Sequence, residues 1–301
     1  MRRGYRLNYV LAALLVSTGS NGVLAQDARK APPAQAPKAQ QAPAGDPDRM
    51  KRLLKAWEQE SSKLKSLDVS IERLDRSKAW GEEMFEGRAI LMSPNLAWLN
   101  FDKVDLDPNT KKPVIDPKTR KTVKNPYERI VCTGTEVWQY RSDTKQIFIF
   151  PLDRQQQKRA LEEGPLPFLF NMKAAEAEAR YEMNLVDETS EYFVITIIPR
   201  LKIDAESFAK AFLKLSKKTF LPDRIFLLSP NGKDSKDFSL TAVNRNKEVS
   251  PENFKGKPMG PPWTMVRDPG DRQVAPAAAA PGIGARPVQP AGNVGPAPRR
   301  R

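Results

Sequence analysis

Between Tyr127 and Met172 three short runs of large apolar residues follow one another: Ile130-Val131-Cys132, Val137-Trp138-Gln139-Tyr140 and Ile147-Phe148-Ile149-Phe150. Thr-Gly and Ser-Asp pairs punctuate them, and β-branched and aromatic residues bounded by turn formers read as strands. The segment Pro165-Leu166-Pro167-Phe168-Leu169-Phe170-Asn171-Met172 comes next, short, apolar and held between prolines. A sheet this rich in rings has to be covered, either by helices of its own chain or by a guest.

The flanking sequence supplies the rest of such a fold. Met50, Leu53, Leu54, Trp57, Leu64 and Leu67 recur at helical spacing, with Lys51, Arg52, Lys55 and Glu58 on the other side, which predicts an amphipathic helix ending near Leu67. Period-two alternation then predicts antiparallel strands over Val69-Ser70-Ile71, Phe85 to Leu91 and Leu96 to Phe101, with a turn at Ser93-Pro94-Asn95. The Pro-, Lys- and Asp-rich stretch 102–126 reads as a long exposed insertion loop. After the aromatic strands, Asp153 is placed to cap a helix over Arg154–Glu163, and a second helical stretch runs over Ala174–Arg180. Strands return over Tyr181–Val186, Tyr192–Ile198, Ala211–Leu215, Arg224–Leu228 and Phe238–Arg245, the last two joined through Pro230-Asn231-Gly232-Lys233. The order, strands broken by central helices, is α+β.

The two ends have a different composition. Arg2, Arg3 and Arg6 precede the apolar run from Leu7 to Val16, and Val23-Leu24-Ala25 offers a small-residue cleavage site, so residues 1–25 read as a secretory signal peptide and place the protein in the periplasm. The run is far short of the roughly 20 residues a membrane-spanning helix needs. Residues 26–47 form a Pro/Ala/Gln-rich linker, and 268–301 a Pro/Ala tail ending in three arginines. Neither can bury enough apolar surface to offset the entropy of ordering, so both termini are expected to be disordered. Residues 48–267 remain as one domain, a length one core can serve.

Charge narrows the partners. The chain carries +14, or +14 − 3 = +11 without the signal arginines. Except in Lys111 to Lys124 and the terminal Arg299-Arg300-Arg301, its Lys and Arg are dispersed among acidic residues instead of forming a phosphate-tracking stripe, which argues against nucleic acid as a partner of an exported chain. An anionic membrane surface or an envelope protein fits the remainder, as does a plain solvated basic surface. The protein is read as a monomer.

Chemistry has few residues to work with. There is no histidine and Cys132 is the only cysteine, so the usual general base, the usual nucleophile activator and zinc sites of the Cys/His type are absent. Glu82-Glu83 and Glu162-Glu163 are adjacent pairs that a strand or helix splays apart, more in keeping with solvated surface than with acid–base work. No catalytic residue, cofactor or metal is expected, and the protein is read as non-enzymatic.

Several short matches occur in a fixed order: the starting helix ending near Leu67, Ser93-Pro94-Asn95-Leu96 before a tryptophan strand, Thr133-Gly134-Thr135 leading into Val137-Trp138-Gln139-Tyr140, Pro165 to Leu169, and Thr219-Phe220-Leu221-Pro222 before Arg224-Ile225. In this order the chain resembles the periplasmic outer-membrane lipoprotein carriers, the LolA/LolB-like family, with its related envelope-stress regulators. The resemblance implies an unclosed antiparallel β half-barrel covered by helices, with an apolar cavity for lipoprotein or lipid acyl chains. It places Trp98, Trp138 and Tyr140 on the sheet, toward or flanking the cavity, and Phe168 and Leu169 on a lid. With Phe148, Phe150 and Phe170 these form the candidate ligand-binding set, although rings on strands also pack as ordinary core. Ser93 departs from the family, whose carriers commonly have a basic residue there that ties the lid shut. The alternative role is an envelope sensor or scaffold using the same fold to bind a protein.

Overall fold

The computed structural model describes residues 47–154, 157 and 166–267. The expected signal peptide, the linker short of Pro47, most of the helix expected over Arg154–Glu163 and the C-terminal tail lie outside the described residues.

Twelve strands make one sheet: β1 Ser66–Ser77, β2 Gly81–Met92, β3 Leu96–Val104, β4 Lys124–Cys132, β5 Glu136–Arg141, β6 Gln146–Pro151, β7 Tyr181–Glu188, β8 Tyr192–Pro199, β9 Lys210–Ser216, β10 Pro222–Leu228, β11 Ser235–Arg245 and β12 Thr264–Arg267. Chain neighbours are sheet neighbours within β1–β6 and within β7–β11, and the pairing of β1 with β11 joins the two meanders. Every ladder is antiparallel except that of β12, which runs parallel along β6. β12 and β7 end the strand order without pairing to each other, so the sheet is an unclosed half-barrel.

Helices fill its inner side. The first, α1, spans Pro47–Ser61, with proline where no backbone donor is needed and Asp48 in the positive first turn. It turns Met50, Leu53, Leu54 and Trp57 into the core. It does not continue to Leu67: the chain turns at Ser61, where Leu64 N–H donates to the Ser61 carbonyl at 3.0 Å, and Leu67 is already the second residue of β1. Leu67 alternates with Val69 and Ile71, so its helical spacing from Leu64 is a coincidence that period two overrides. Two further helices, α2 (Leu166–Leu169) and α3 (Ala174–Arg180), contribute Phe168, Leu169, Ala174 and Ala177 to the same core, and α4 (Lys202–Ala205) links β8 to β9.

Most of the stretch 107–121 is exposed, but 102–126 is not an irregular loop. Asp102 to Val104 extend β3, and Lys124 to Pro126 begin β4. Between them the chain repeats itself every nine residues, Asp107-Pro-Asn-Thr-Lys-Lys and Asp116-Pro-Lys-Thr-Arg-Lys. Each copy folds as a tight hairpin. Asp107 Oδ1 accepts from the N–H groups of Asn109 and Thr110, Asp116 Oδ1 from those of Lys118 and Thr119. Lys111 and Arg120 take the left-handed φ of 56° and 54° that closes each turn. A ring of three backbone hydrogen bonds, Asp105 N–H to Val123, Val123 N–H to Val114 and Val114 N–H to Asp105, joins both hairpins to the β3–β4 stem. The segment is an ordered three-way junction because local Asx turns satisfy its backbone without any core.

Candidate functional site

Strand alternation divides the five candidate residues that lie on strands between two faces of the sheet. Trp98, Val131, Trp138 and Ile149 lie side by side across β3, β4, β5 and β6, and Tyr140 pairs with Ile147. They form a cluster separate from the helix-filled core, with Trp98 and Trp263 packed at its edge. Trp98, Trp138 and Tyr140 therefore point away from α1 and α2. Phe148 and Phe150 alternate to the inner side, where Phe150 packs on the core beside Val137.

Phe168, Leu169 and Phe170 lie at the centre of the inner side. Phe168 and Phe170 are each about 1% exposed, and Phe168 packs its ring 6.2 Å from Trp57 and 5.3 Å from Tyr181. With Met172, whose N–H donates to the buried Ser61 Oγ at 2.9 Å, they plug the half-barrel. Helix α2 has only four residues, so burial of these side chains, and not helix length, holds the plug in place.

A chain segment with almost no strand or helix pattern of its own covers the outer rings. After a 3-10 turn at Pro251–Phe254, the backbone crosses the outer face of β5 and joins the edge of the sheet as β12. Tyr140 Oη accepts from Lys257 N–H at 2.8 Å and donates to the Lys257 carbonyl at 3.1 Å. Trp138 Nε1 donates to Glu136, which also pairs with Arg267 of β12. Trp263 meets Tyr140 edge-on at 6.5 Å. β12 escaped the sequence reading because four residues after two prolines carry too little periodicity; the unassigned Trp263 was the one available signal.

Sequence reasoning also missed a polar patch inside the half-barrel. Arg73, Asp75, Glu128 and Lys236 are all buried there. The Arg73 guanidinium lies 3.9 Å from the centre of the Phe85 ring and 3.1 Å from Asp75, and Lys236 reaches Asp75 at 3.2 Å. Burial pushes the Glu128 carboxyl above its ordinary range, against the hydrogen bond it accepts from Gln139 at 2.6 Å. Burial likewise lowers the Lys236 ammonium. Cys132 is buried, and its thiol is pushed up to about 11, so it is inert as a nucleophile.

An open antiparallel half-barrel covered by helices is the geometry that the sequence resemblance implied. Residues 116–257 match the family model of the outer membrane lipoprotein carrier protein LolA. Over this stretch the chain is LolA-like. The match begins inside the second hairpin of the junction and ends at Lys257, so α1, all of β1–β3 and the final strand β12 lie outside the matched stretch. No curated protein matches the sequence.

Among solved structures, an uncharacterized conserved protein from Thermus thermophilus aligns at 15% identity and a TM-score of 0.42, covering 71% of this chain and 98% of that one. A LolA superfamily protein from Nitrosomonas europaea aligns at 10% identity and 0.31, covering 67% and 97%. The Pseudomonas aeruginosa MucA/MucB complex aligns at 12% identity and 0.36, covering 68% and 61%. The LolA-like fold is one of binding and carrier proteins.

Proposed function

We propose that this protein is an exported, non-enzymatic carrier whose half-barrel takes up acyl chains of a lipid or lipoprotein in the volume filled by Phe168, Leu169, Phe170 and Met172. The observation that carries this reading is the plug itself: buried apolar side chains at the end of a helix of four residues and just beyond it. Burying such side chains is worth about 1.5–3 kcal/mol each, so four contribute roughly 6–12 kcal/mol. An acyl chain with about 15 methylenes gains a comparable ~12 kcal/mol at roughly 0.8 kcal/mol per CH₂. Exchange of plug for cargo is then close to balanced, which is what reversible loading requires. Trp98, Trp138 and Tyr140, on the outer face under β12 and its lead-in, serve the fold in this reading; Phe148, Phe150 and the plug residues serve the cargo.

Titration with a fluorescent fatty-acyl probe tests it. A plug that must leave before cargo enters reduces apparent affinity by the fraction of open molecules. Phe168→Ala, which weakens the plug, is expected to tighten probe binding tenfold or more while lowering the urea midpoint. Phe168→Asp is unsuitable, because it would bury an unpaired charge between Trp57 and Tyr181 and unfold the domain. If the wild-type protein and Phe168→Ala both show no saturable binding, the carrier reading fails and a protein partner takes its place.

A further inference from the structure

A cleft of about 410 Å³ opens between α1 and the edge strand β7, within the size range of small-molecule sites. Met50 and Leu54 of α1 line one wall, Tyr181, Met183 and Leu185 of β7 the other. Side chains at alternate positions of a strand stand about 7 Å apart, so the β7 wall offers an apolar track roughly 14 Å long. Lys51 and Arg200 stand at the rim, and neither makes an ion pair among the described residues; Glu178 and Glu182 occupy the side formed by α3 and β7. Arg49 is tied to Glu188.

The floor of this cleft is the back of the plug. Met50, Leu54 and Tyr181 belong to the same buried cluster as Phe168, and Met183 and Leu185 pack against it. The Tyr181 ring lies between the cleft and the ring of Phe168, 5.3 Å from its centre, and Phe168 in turn leads to Trp57. Tyr181 is fixed from behind by Phe208, stacked at 6.1 Å, and by its hydroxyl on Asp204 at 3.4 Å. Asp204 is itself clamped by both the Nε and Nη2 groups of Arg180. The Tyr181 ring therefore touches both the open apolar groove and the plug in the filled interior.

We propose that this cleft is the entrance through which a single acyl chain bearing a phosphate or carboxylate head reaches the interior, with Tyr181 as the gate and Lys51 and Arg200 holding the head. The proposal rests on the carrier reading and adds the route and the head-group class to it. The tail lies along Met183 and Leu185, and rotation of the Tyr181 ring away from Phe168 joins groove to plug. Residues 26–46, which precede α1, carry no long apolar side chain to fill the track, and the rim cations Lys51 and Arg200 match an anionic head from outside the chain.

Laurate serves as the probe. In a Met183→Cys variant, saturating laurate is expected to slow maleimide labelling of the new thiol tenfold or more, while buried Cys132 stays unreactive. Met183→Arg is expected to weaken laurate binding at least tenfold, and Arg200→Glu to weaken laurate but not dodecanol. Ile198→Arg, on the outer face of the neighbouring strand, is expected to leave both unchanged. If laurate binds saturably but labelling of Met183→Cys is unchanged and Met183→Arg binds as the wild type does, the entrance lies elsewhere and the carrier reading stands. If laurate and the longer acyl probes all fail to bind the wild-type protein, the entrance falls together with the carrier reading.

Discussion

Gly256 lies flat against the indole of Trp138, so close that a Cβ at that position would stand 2.2 Å from Trp138 Cε2. Two segments more than a hundred residues apart are thus held in van der Waals contact that no other residue at 256 allows. The contact fixes the path of the backbone from Phe254 to β12, and β12 in turn covers the edge of β6.

Gly256→Ala is expected to destabilise the domain by about 1–3 kcal/mol, the usual cost of forcing an extra methyl into a packed site. Urea denaturation followed by tryptophan fluorescence measures it. Because the strain falls on the outer face, acyl-probe affinity should not change; a variant with wild-type stability would show that the segment is only loosely seated.

Lys111→Gly and Arg120→Gly are expected to stabilise the three-way junction by about 0.5–1 kcal/mol each, since both side chains occupy the left-handed region that glycine enters without a steric penalty. Slower amide hydrogen exchange at Val114 and Val123 would report it. Exchange at these amides as fast as in an unstructured peptide, in the wild-type protein, would instead mean that the hydrogen-bonded ring does not persist.

Glu128→Gln gives a pH-dependent outcome. The Glu128 carboxyl titrates above its ordinary 4.5 in the folded protein because burial disfavours its charged form. Its contribution to stability is therefore fully present below pH 4.5 and is lost as pH rises through the raised folded value. The glutamine variant, which never ionises, should be the more stable of the two at about pH 7, with the difference vanishing below pH 4.5. Urea midpoints across that range decide it, and a variant less stable near neutral pH would mean that the charged carboxylate is needed beside Arg73 and Lys236.

How much of this was legible beforehand differs by element. The strands of the aromatic region, the Ser93-Pro94-Asn95 turn and the Asn231-Gly232 hairpin could be read because their signals are local: alternation, β-branching and turn residues act within a few positions. The apolar face of α1 was readable for the same reason, although its end lies at Ser61 and not near Leu67, because Leu67 satisfies both the helical spacing from Leu64 and the strand alternation with Val69 and Ile71. The nine-residue repeat was present in the sequence as well, and its aspartates, each placed to accept two loop amides, were the signal that 102–126 is built and not merely tolerated.

Composition and short-range period were enough to dictate the α+β order of strands and helices, the apolar run around Phe168 and the absence of histidine chemistry, while the unclosed shape of the sheet was legible only through the family resemblance. Long-range packing alone settled which face each ring occupies, that Trp138 and Tyr140 lie under the segment leading to β12 instead of toward the helices, and that Tyr181 stands between a cleft and the plug. The reason is physical: alternation says that neighbouring side chains on a strand point to opposite faces, but which face becomes the inside depends on where distant segments such as α1 and Gly256 come to rest.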